Sequence, residues 1–157
     1  MTKPAIGAWL GTTWAPHEVL AVAGEAEAAG FDSVWLADHF MANTGTEKVS
    51  DRGNLECFGM LAGIAAAVPR VRLGSLVASI TFRHPAVLAN IAATVDGIAS
   101  GRLVLGVGAG WQLNEHAAYG LPLGPVRDRI DRFEEGLQVL TGLLRSDSTT
   151  VAGEHYT

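Results

Sequence analysis

Apolar residues follow two alternating rhythms along the chain: short unbroken runs, and longer stretches in which they recur every three or four positions. The runs at 5–10, 33–37, 71–79 and 103–107 predict strands, the first interrupted by Gly7 and followed by Gly11. Leu103 to Val107 is almost wholly apolar, as expected of a parallel strand covered on both faces. Between the runs, Val19, Leu20, Ala23 and Ala26 share one helical face, with Pro16 suited to a first turn and Gly30 to a stop. Leu55 to Val68 predicts a helix so apolar that most of its surface must be covered. Pro85 opens a third helix carrying Val87, Leu88, Ile91, Ala92, Val95 and Ile98, closed at Gly101. After Pro125 a last helix sets Val126, Ile130, Phe133, Leu137, Leu140 and Leu144 in one stripe. Its remaining sides hold Arg127, Asp128, Arg129, Asp131, Arg132, Glu134 and Glu135, which suit a solvated face.

The order is β-α four times over, an α/β pattern without a low-complexity linker. Such alternation implies parallel strands joined by helical crossovers. Two architectures satisfy it, a doubly wound open sheet and part of a (β/α)8 barrel. A whole barrel takes about 250 residues, whereas this chain has 157 and four βα units.

Composition narrows the function classes. With 48% apolar and 17% charged residues the chain is built for a packed core, not for disorder. Lys and Arg number 11 against 16 Asp and Glu, and no basic cluster exceeds Arg70-Val71-Arg72. A nucleic-acid partner is therefore not expected. The lone Cys57 forms no internal disulfide, and the longest stretch without polar residues, Phe58 to Val68, is too short to cross a bilayer. A soluble cytoplasmic chain, with neither membrane nor nucleic acid as partner, is the expectation.

Both architectures gather function at the carboxyl ends of the strands. There the sequence supplies Asp38-His39-Phe40, then Ser79 to Pro85, then Gly106-Val-Gly108-Ala-Gly110-Trp111-Gln112-Leu113-Asn114-Glu115. The glycine string fails as a dinucleotide fingerprint, since a third glycine would be needed where Trp111 or Leu113 stands. What it does offer is backbone free of side chains, against which a flat ligand can lie. The adjacent acid and imidazole favour a functional role for Asp38 and His39. Ser79 and Thr81 suit loop bonding and ligand contact equally, His84 suits a helix start, and Asn114 and Glu115 suit a turn cap. Trp111 suits either packing or a stacking surface. His39, His84 and His116 have no metal-ligand spacing, so no metal site is expected.

The runs Gly30-Phe-Asp-Ser-Val-Trp-Leu-Ala-Asp-His-Phe40, Leu55-Glu-Cys57, Val71-Arg-Leu-Gly74, Thr81-Phe-Arg-His-Pro85 and Gly106-Val-Gly-Ala-Gly-Trp111 resemble the bacterial luciferase-like family. That family holds FMN-dependent monooxygenases and oxidoreductases using the deazaflavin coenzyme F-420, on a (β/α)8 barrel. The resemblance spans essentially the whole chain as a single domain, 1–157, and is nearest to the deazaflavin branch. It implies an oxidoreductase with F-420, or alternatively FMN, as cofactor and a small molecule as substrate. It implies Asp38 as a cofactor contact, His39 as the catalytic, proton-handling residue, and a cis peptide at Leu76–Val77 behind the ring. By the same resemblance Ser79 lies near the ring's polar edge and Asn114 contacts the cofactor, while Gly108 and Gly110 leave room for the ring and Trp111 borders the substrate.

Two positions depart from the pattern. Some sugar-phosphate dehydrogenases of the branch carry a catalytic glutamate where Trp111 stands, and a tryptophan where Asn43 stands. The family also continues beyond four βα units. The expectation is an amino-terminal half-barrel, apparently truncated, with Leu36, Val77 and Leu105 lining the interior and two open sheet edges. Such a half calls for a second copy or a complementing carboxyl-terminal half, or else is a non-catalytic remnant.

Overall fold

The computed structural model describes residues 4–146 and 148–157. Four strands, β1 (Gly7–Trp9), β2 (Ser33–Leu36), β3 (Arg72–Ser79) and β4 (Leu103–Gly108), form one parallel sheet in the order β1-β2-β3-β4. Helices α1 (Pro16–Ala28), α2 (Cys57–Ala67) and α3 (Pro85–Ile98) make the crossovers, and α4 (Leu113–Tyr119) and α5 (Val126–Arg145) follow β4. Sequential order with every helix on one side is the layout of half a (β/α)8 barrel, which excludes the doubly wound alternative.

Local chemistry sets the helix starts. Glu18 accepts a hydrogen bond from the Ala15 N–H ahead of α1 (2.8 Å), and the Glu56 side chain caps α2 by accepting from Gly59. His84 caps α3, its Nδ1 accepting from the Ala86 N–H at 3.2 Å, so its structural role holds. Arg102, just before β4, donates to the carbonyls of Ala65, Val68, Val71 and Ala99, tying the ends of α2 and α3 to the strand starts.

The core lies between sheet and helices, where Val19, Ala23, Val34, Leu36, Phe58, Leu61, Ile64, Leu73, Ile80, Leu88 and Leu140 are buried. Strand alternation decides which residues reach it. Leu36 is 1% exposed and packs toward the helices, as does Leu105, so two of the three residues expected to line the interior face the other way. Trp35 takes the inner side instead, its ring lying over Gly7 and Gly74 with Nε1 bonded to Ser33 Oγ at 2.9 Å. Of the expected trio only Val77 faces inward, above Gly106 and Gly108.

The charged flank of α5 is more than a solvated face. Arg129 donates to the Gly110 carbonyl (2.6 Å), and Arg132 to the Tyr156 hydroxyl (3.0 Å). Glu135 accepts from the N–H groups of Glu154, His155 and Tyr156, fastening the 154–156 segment to the helix. Among the described residues no helix is long and apolar enough to cross a membrane.

Candidate active site

At the carboxyl ends of β2, β3 and β4 the loops enclose a cavity of about 250 Å³. Its floor is the β3 irregularity. Ser75 pairs with Leu105 and Ala78 with Val107, so three steps on β3 answer two on β4. The extra residue turns both Leu76 and Val77 toward the open face, each 41% exposed, and the peptide between them is cis, as the resemblance implied. Beside this apolar ledge stand Gly108 and Gly110. A Cβ on Gly108 would come within 2.8 Å of Val77 Cγ2, and one on Gly110 within 2.6 Å of Thr81 Oγ1. Gly110 also has φ +83°, so both backbone shape and space call for glycine there.

His39 overhangs the ledge. Its Nδ1 lies 2.7 Å from Oε1 of Glu115, a carboxylate with no solvent exposure. The other oxygen, Oε2, accepts from the Phe40 N–H at 2.8 Å, so the carboxylate is tied both to the imidazole and to the loop backbone beside it. Carboxylate oxygens accept, so Nδ1 carries the proton and Nε2 is left as the free ring nitrogen of a residue that lines the cavity. The Trp111 ring, 57% exposed, meets His39 edge-on with centroids 5.6 Å apart. Phe40 stacks between Phe82 and Tyr119, both centroids 4.5 Å away, and seals the loop behind the histidine.

Asp38 serves the site from underneath. It is 1% exposed, and Arg83 grips both oxygens, Nη1 to Oδ2 at 2.7 Å and Nη2 to Oδ1 at 3.0 Å. Oδ2 also accepts from the Ser79 N–H at 3.1 Å. Arg83 reaches Glu56 as well (2.6 Å) and lies over the Phe58 ring. Burial disfavours its charge, but the two carboxylates more than offset that and raise its pKa. The Asp38 oxygens are thus committed to protein groups, although the residue borders the cavity.

A second chain of hydrogen bonds runs behind Gly110. Ser79 Oγ lies 2.7 Å from Thr81 Oγ1, which lies 2.7 Å from His116 Nε2, and His116 Nδ1 lies 2.6 Å from the Gln112 carbonyl. Ser79 borders the cavity and is 6% exposed; Thr81 and His116 are each 2% exposed. Burial lowers the His116 pKa, helped by the positive charge of Arg129 and by the protonated form of His39, and opposed by the Gln112 carbonyl and Glu115.

Of the residues singled out from the sequence, His39, Asp38, Leu76, Val77, Ser79, Gly108, Gly110 and Trp111 all border this one cavity. Asn114 does not. It is fully buried, and its amide donates to the Ala42 carbonyl at 2.8 Å, holding the loop after β2. Glu115 and His116 border the cavity too, and the residues expected to form a turn there belong to the short helix α4. Trp9 and Ala37 complete its rim. The signal for Glu115 was its position seven residues past a strand end, beside the polar Asn114 and His116, which is compatible with a cap as much as with a buried carboxylate. Among the described residues, no group of three or more His, Cys, Asp or Glu is placed to hold a metal ion.

A parallel half-barrel with an imidazole, a bulged apolar strand and a glycine-lined backbone at its carboxyl ends defines the first half of a (β/α)8 barrel with its candidate site at the strand ends. The chain belongs to the luciferase-like monooxygenase family, whose model matches residues 1–157. It is similar to the F420-dependent glucose-6-phosphate dehydrogenase of Beutenbergia cavernae, 37% identical over 146 residues, which cover 91% of this chain and 41% of that protein. The protein of the same description from Amycolatopsis mediterranei is 33% identical over 90% of this chain. Among solved structures, an F420-dependent secondary alcohol dehydrogenase in complex with an F420-acetone adduct superposes over 99% of this chain and 46% of its own, with a TM-score of 0.84 and 28% identity. The monooxygenase RslO1 from Streptomyces bottropensis gives 0.80 and 26% identity. The chain spans about two-fifths of the length of the curated relatives it matches.

Proposed function

We propose that this chain carries the ring-binding and proton-handling machinery of an oxidoreductase that exchanges hydride between the deazaflavin coenzyme F-420 and a small organic substrate. The observation that carries the proposal is His39, held by buried Glu115 through Nδ1 and presenting Nε2 beside the Leu76–Val77 ledge. The residues present fit a flat heterocycle: the ledge is apolar and open, and Gly108 and Gly110 leave a side-chain-free margin that a Cβ would occupy. Ser79 sets a hydroxyl at the polar end of that margin. Coenzyme F-420, when bound, supplies the hydride acceptor or donor.

The protein's own contribution is a proton. When a substrate alcohol is oxidised its hydroxyl proton must leave, and when a carbonyl is reduced one must arrive. Nε2 of His39 takes it or gives it, while the Glu115 carboxylate stabilises the imidazolium that forms. Leu76, Val77 and Trp9 keep the ledge apolar, and the Phe40–Phe82–Tyr119 stack steadies the loop that carries His39. Trp111 offers the substrate an aromatic edge where the resemblance sets a glutamate in sugar-phosphate dehydrogenases, which favours a substrate other than a sugar phosphate.

The similarity to a monooxygenase structure favours a second reading, an FMN-dependent monooxygenase on the same ledge. The open inner face, with Trp9 at 63% exposure, favours a further wall supplied by a second copy or a complementing half. One set of measurements separates these. The purified chain is sized by sedimentation, titrated with oxidised F-420 and with FMN by fluorescence, and assayed for oxygen uptake with each reduced form. Tight binding of F-420 without oxygen uptake supports the proposal, and oxygen consumption with reduced FMN transfers it to the second reading. A folded, monodisperse chain that binds neither ring refutes both and leaves a non-catalytic half-barrel.

A further inference from the structure

We propose that His116, acting through Thr81, fixes the Ser79 hydroxyl as a hydrogen-bond acceptor toward the cavity, so that the site selects a ligand whose facing edge carries an amide- or imide-type N–H. The inference rests on the ring-binding reading above for its ligand, but not for its hydrogen-bond logic.

That logic follows from counting protons. The Gln112 main-chain carbonyl can only accept, so His116 Nδ1, 2.6 Å away, carries a proton. In the neutral imidazole Nε2 is then bare, and the Thr81 hydroxyl donates to it at 2.7 Å. A hydroxyl has one proton, so Thr81 has none left for Ser79. The 2.7 Å contact between the two hydroxyls must therefore be Ser79 donating to Thr81. The Ser79 proton is spent inward, and only its lone pairs face the cavity. Its main-chain N–H is held by Asp38, which prevents the residue from rotating out of the chain. Gly110 lies against both hydroxyls without a side chain of its own to intervene.

Neutral His116 is what its surroundings sustain. The imidazole is 2% exposed and faces the Phe82 ring at 5.0 Å; Arg129 and His39 oppose a positive charge on it, and Glu115 is the one carboxylate acting the other way. Protonation would put an N–H at Nε2, turn the Thr81 proton toward Ser79, and turn the Ser79 proton out into the cavity. An N–H edge would then meet a donor. The polarity of the recognition group is thereby tied, through the Thr81 hydroxyl, to one buried imidazole.

Two probes read this out: a simple 5-deazaflavin with a free N3–H and its N3-methyl derivative, titrated by fluorescence into the full chain. The wild-type chain is expected to prefer the N–H probe, and to lose that preference as His116 is protonated. Thr81→Val frees the Ser79 proton, so the affinity ratio of the two probes should fall about tenfold. His116→Gln retains an oxygen to accept from Thr81, so the preference should survive and its pH dependence vanish. A merely structural His116 would weaken both probes alike in both variants, and that result would overturn the proposal. The ¹⁵N spectrum of the unliganded wild-type chain decides independently of ligand: the Nδ1–H tautomer of His116 upholds the assigned polarity, and the Nε2–H tautomer overturns it. Failure of both probes to bind, with the Nδ1–H tautomer present, sinks the ring-binding reading while leaving the Ser79 polarity standing.

Discussion

Replacing Glu115 with glutamine tests the proton-handling geometry with a change of one atom. The carboxylate receives two donors, His39 Nδ1–H at 2.7 Å and Phe40 N–H at 2.8 Å. A glutamine amide has one oxygen and one NH2, so it can satisfy only one of them. If the oxygen stays on Phe40, the NH2 confronts Nδ1, and the imidazole escapes the donor–donor clash by moving its proton to Nε2. His39 then reaches the cavity already protonated and can no longer accept a substrate proton. A hydrogen bond to a charged group contributes about 1.5–3 kcal/mol. Taking about 2 kcal/mol as the lost stabilisation of the imidazolium, turnover in the alcohol-oxidising direction should fall about thirtyfold. Cofactor affinity should change little, because Glu115 has no solvent-facing surface. Steady-state rates in both directions give the first readout, and ¹⁵N shifts of His39 give the tautomer. Full turnover in Glu115→Gln, with His39 still protonated at Nδ1, would refute the assignment of Glu115 as the positioning residue.

The companion substitution His39→Ala should abolish turnover while leaving cofactor affinity within about tenfold, roughly 1.4 kcal/mol; unchanged turnover removes His39 from its role. Arg83→Met leaves Asp38 buried without its partner and should cost about 3–5 kcal/mol in a denaturant titration. Adding Asp38→Asn to that variant should recover part of the loss. Gly110→Ala puts a methyl 2.6 Å from Thr81 Oγ1 and 2.9 Å from Ser79 Oγ at a residue with φ +83°, so cofactor affinity should drop by at least about tenfold. His116 has a pKa below the ordinary 6.5, so the folded chain binds its proton less readily than the unfolded chain. Its contribution to stability is therefore full above pH 6.5 and is lost as pH falls from there toward the folded value. Urea midpoints measured across that window should fall more steeply for the wild type than for His116→Gln.

The elements were legible wherever a period could be counted. All four strands and the four long helices lie where apolar runs and helical stripes set them, because burial on one face leaves a repeat in the sequence. Helix α4 was not legible: its seven residues, Leu113–Tyr119, make less than two full turns and place Asn114, Glu115 and His116 in the interior. Polar residues there read as a turn. Leu36 and Leu105 failed for a different reason. A strand buried on both faces is apolar throughout, so the sequence does not say which side of the pleat each residue takes. The register with β1 and β3 does, and it sends Trp35 inward and Leu36 outward.

The site divides along the same line. His39 stood out because it follows a strand directly, and a strand end is a place fixed by the fold. Its partner Glu115 is 76 residues away in sequence, and no local pattern connects them. Only the adjacency of β2, β3 and β4 brings the loop after the second strand against α4. Asp38 shows the converse. Its position is as conspicuous as that of His39, yet successive residues leave a strand in opposite directions. His39 therefore overhangs the cavity, while the Asp38 carboxylate turns back to Arg83 and the Ser79 N–H. A neighbouring acid and imidazole thus do not form a catalytic pair here. Each is paired with a residue from another strand end, Asp38 with Arg83 and His39 with Glu115, and it is this crossing that leaves the proposed proton-handling role to a single ring nitrogen.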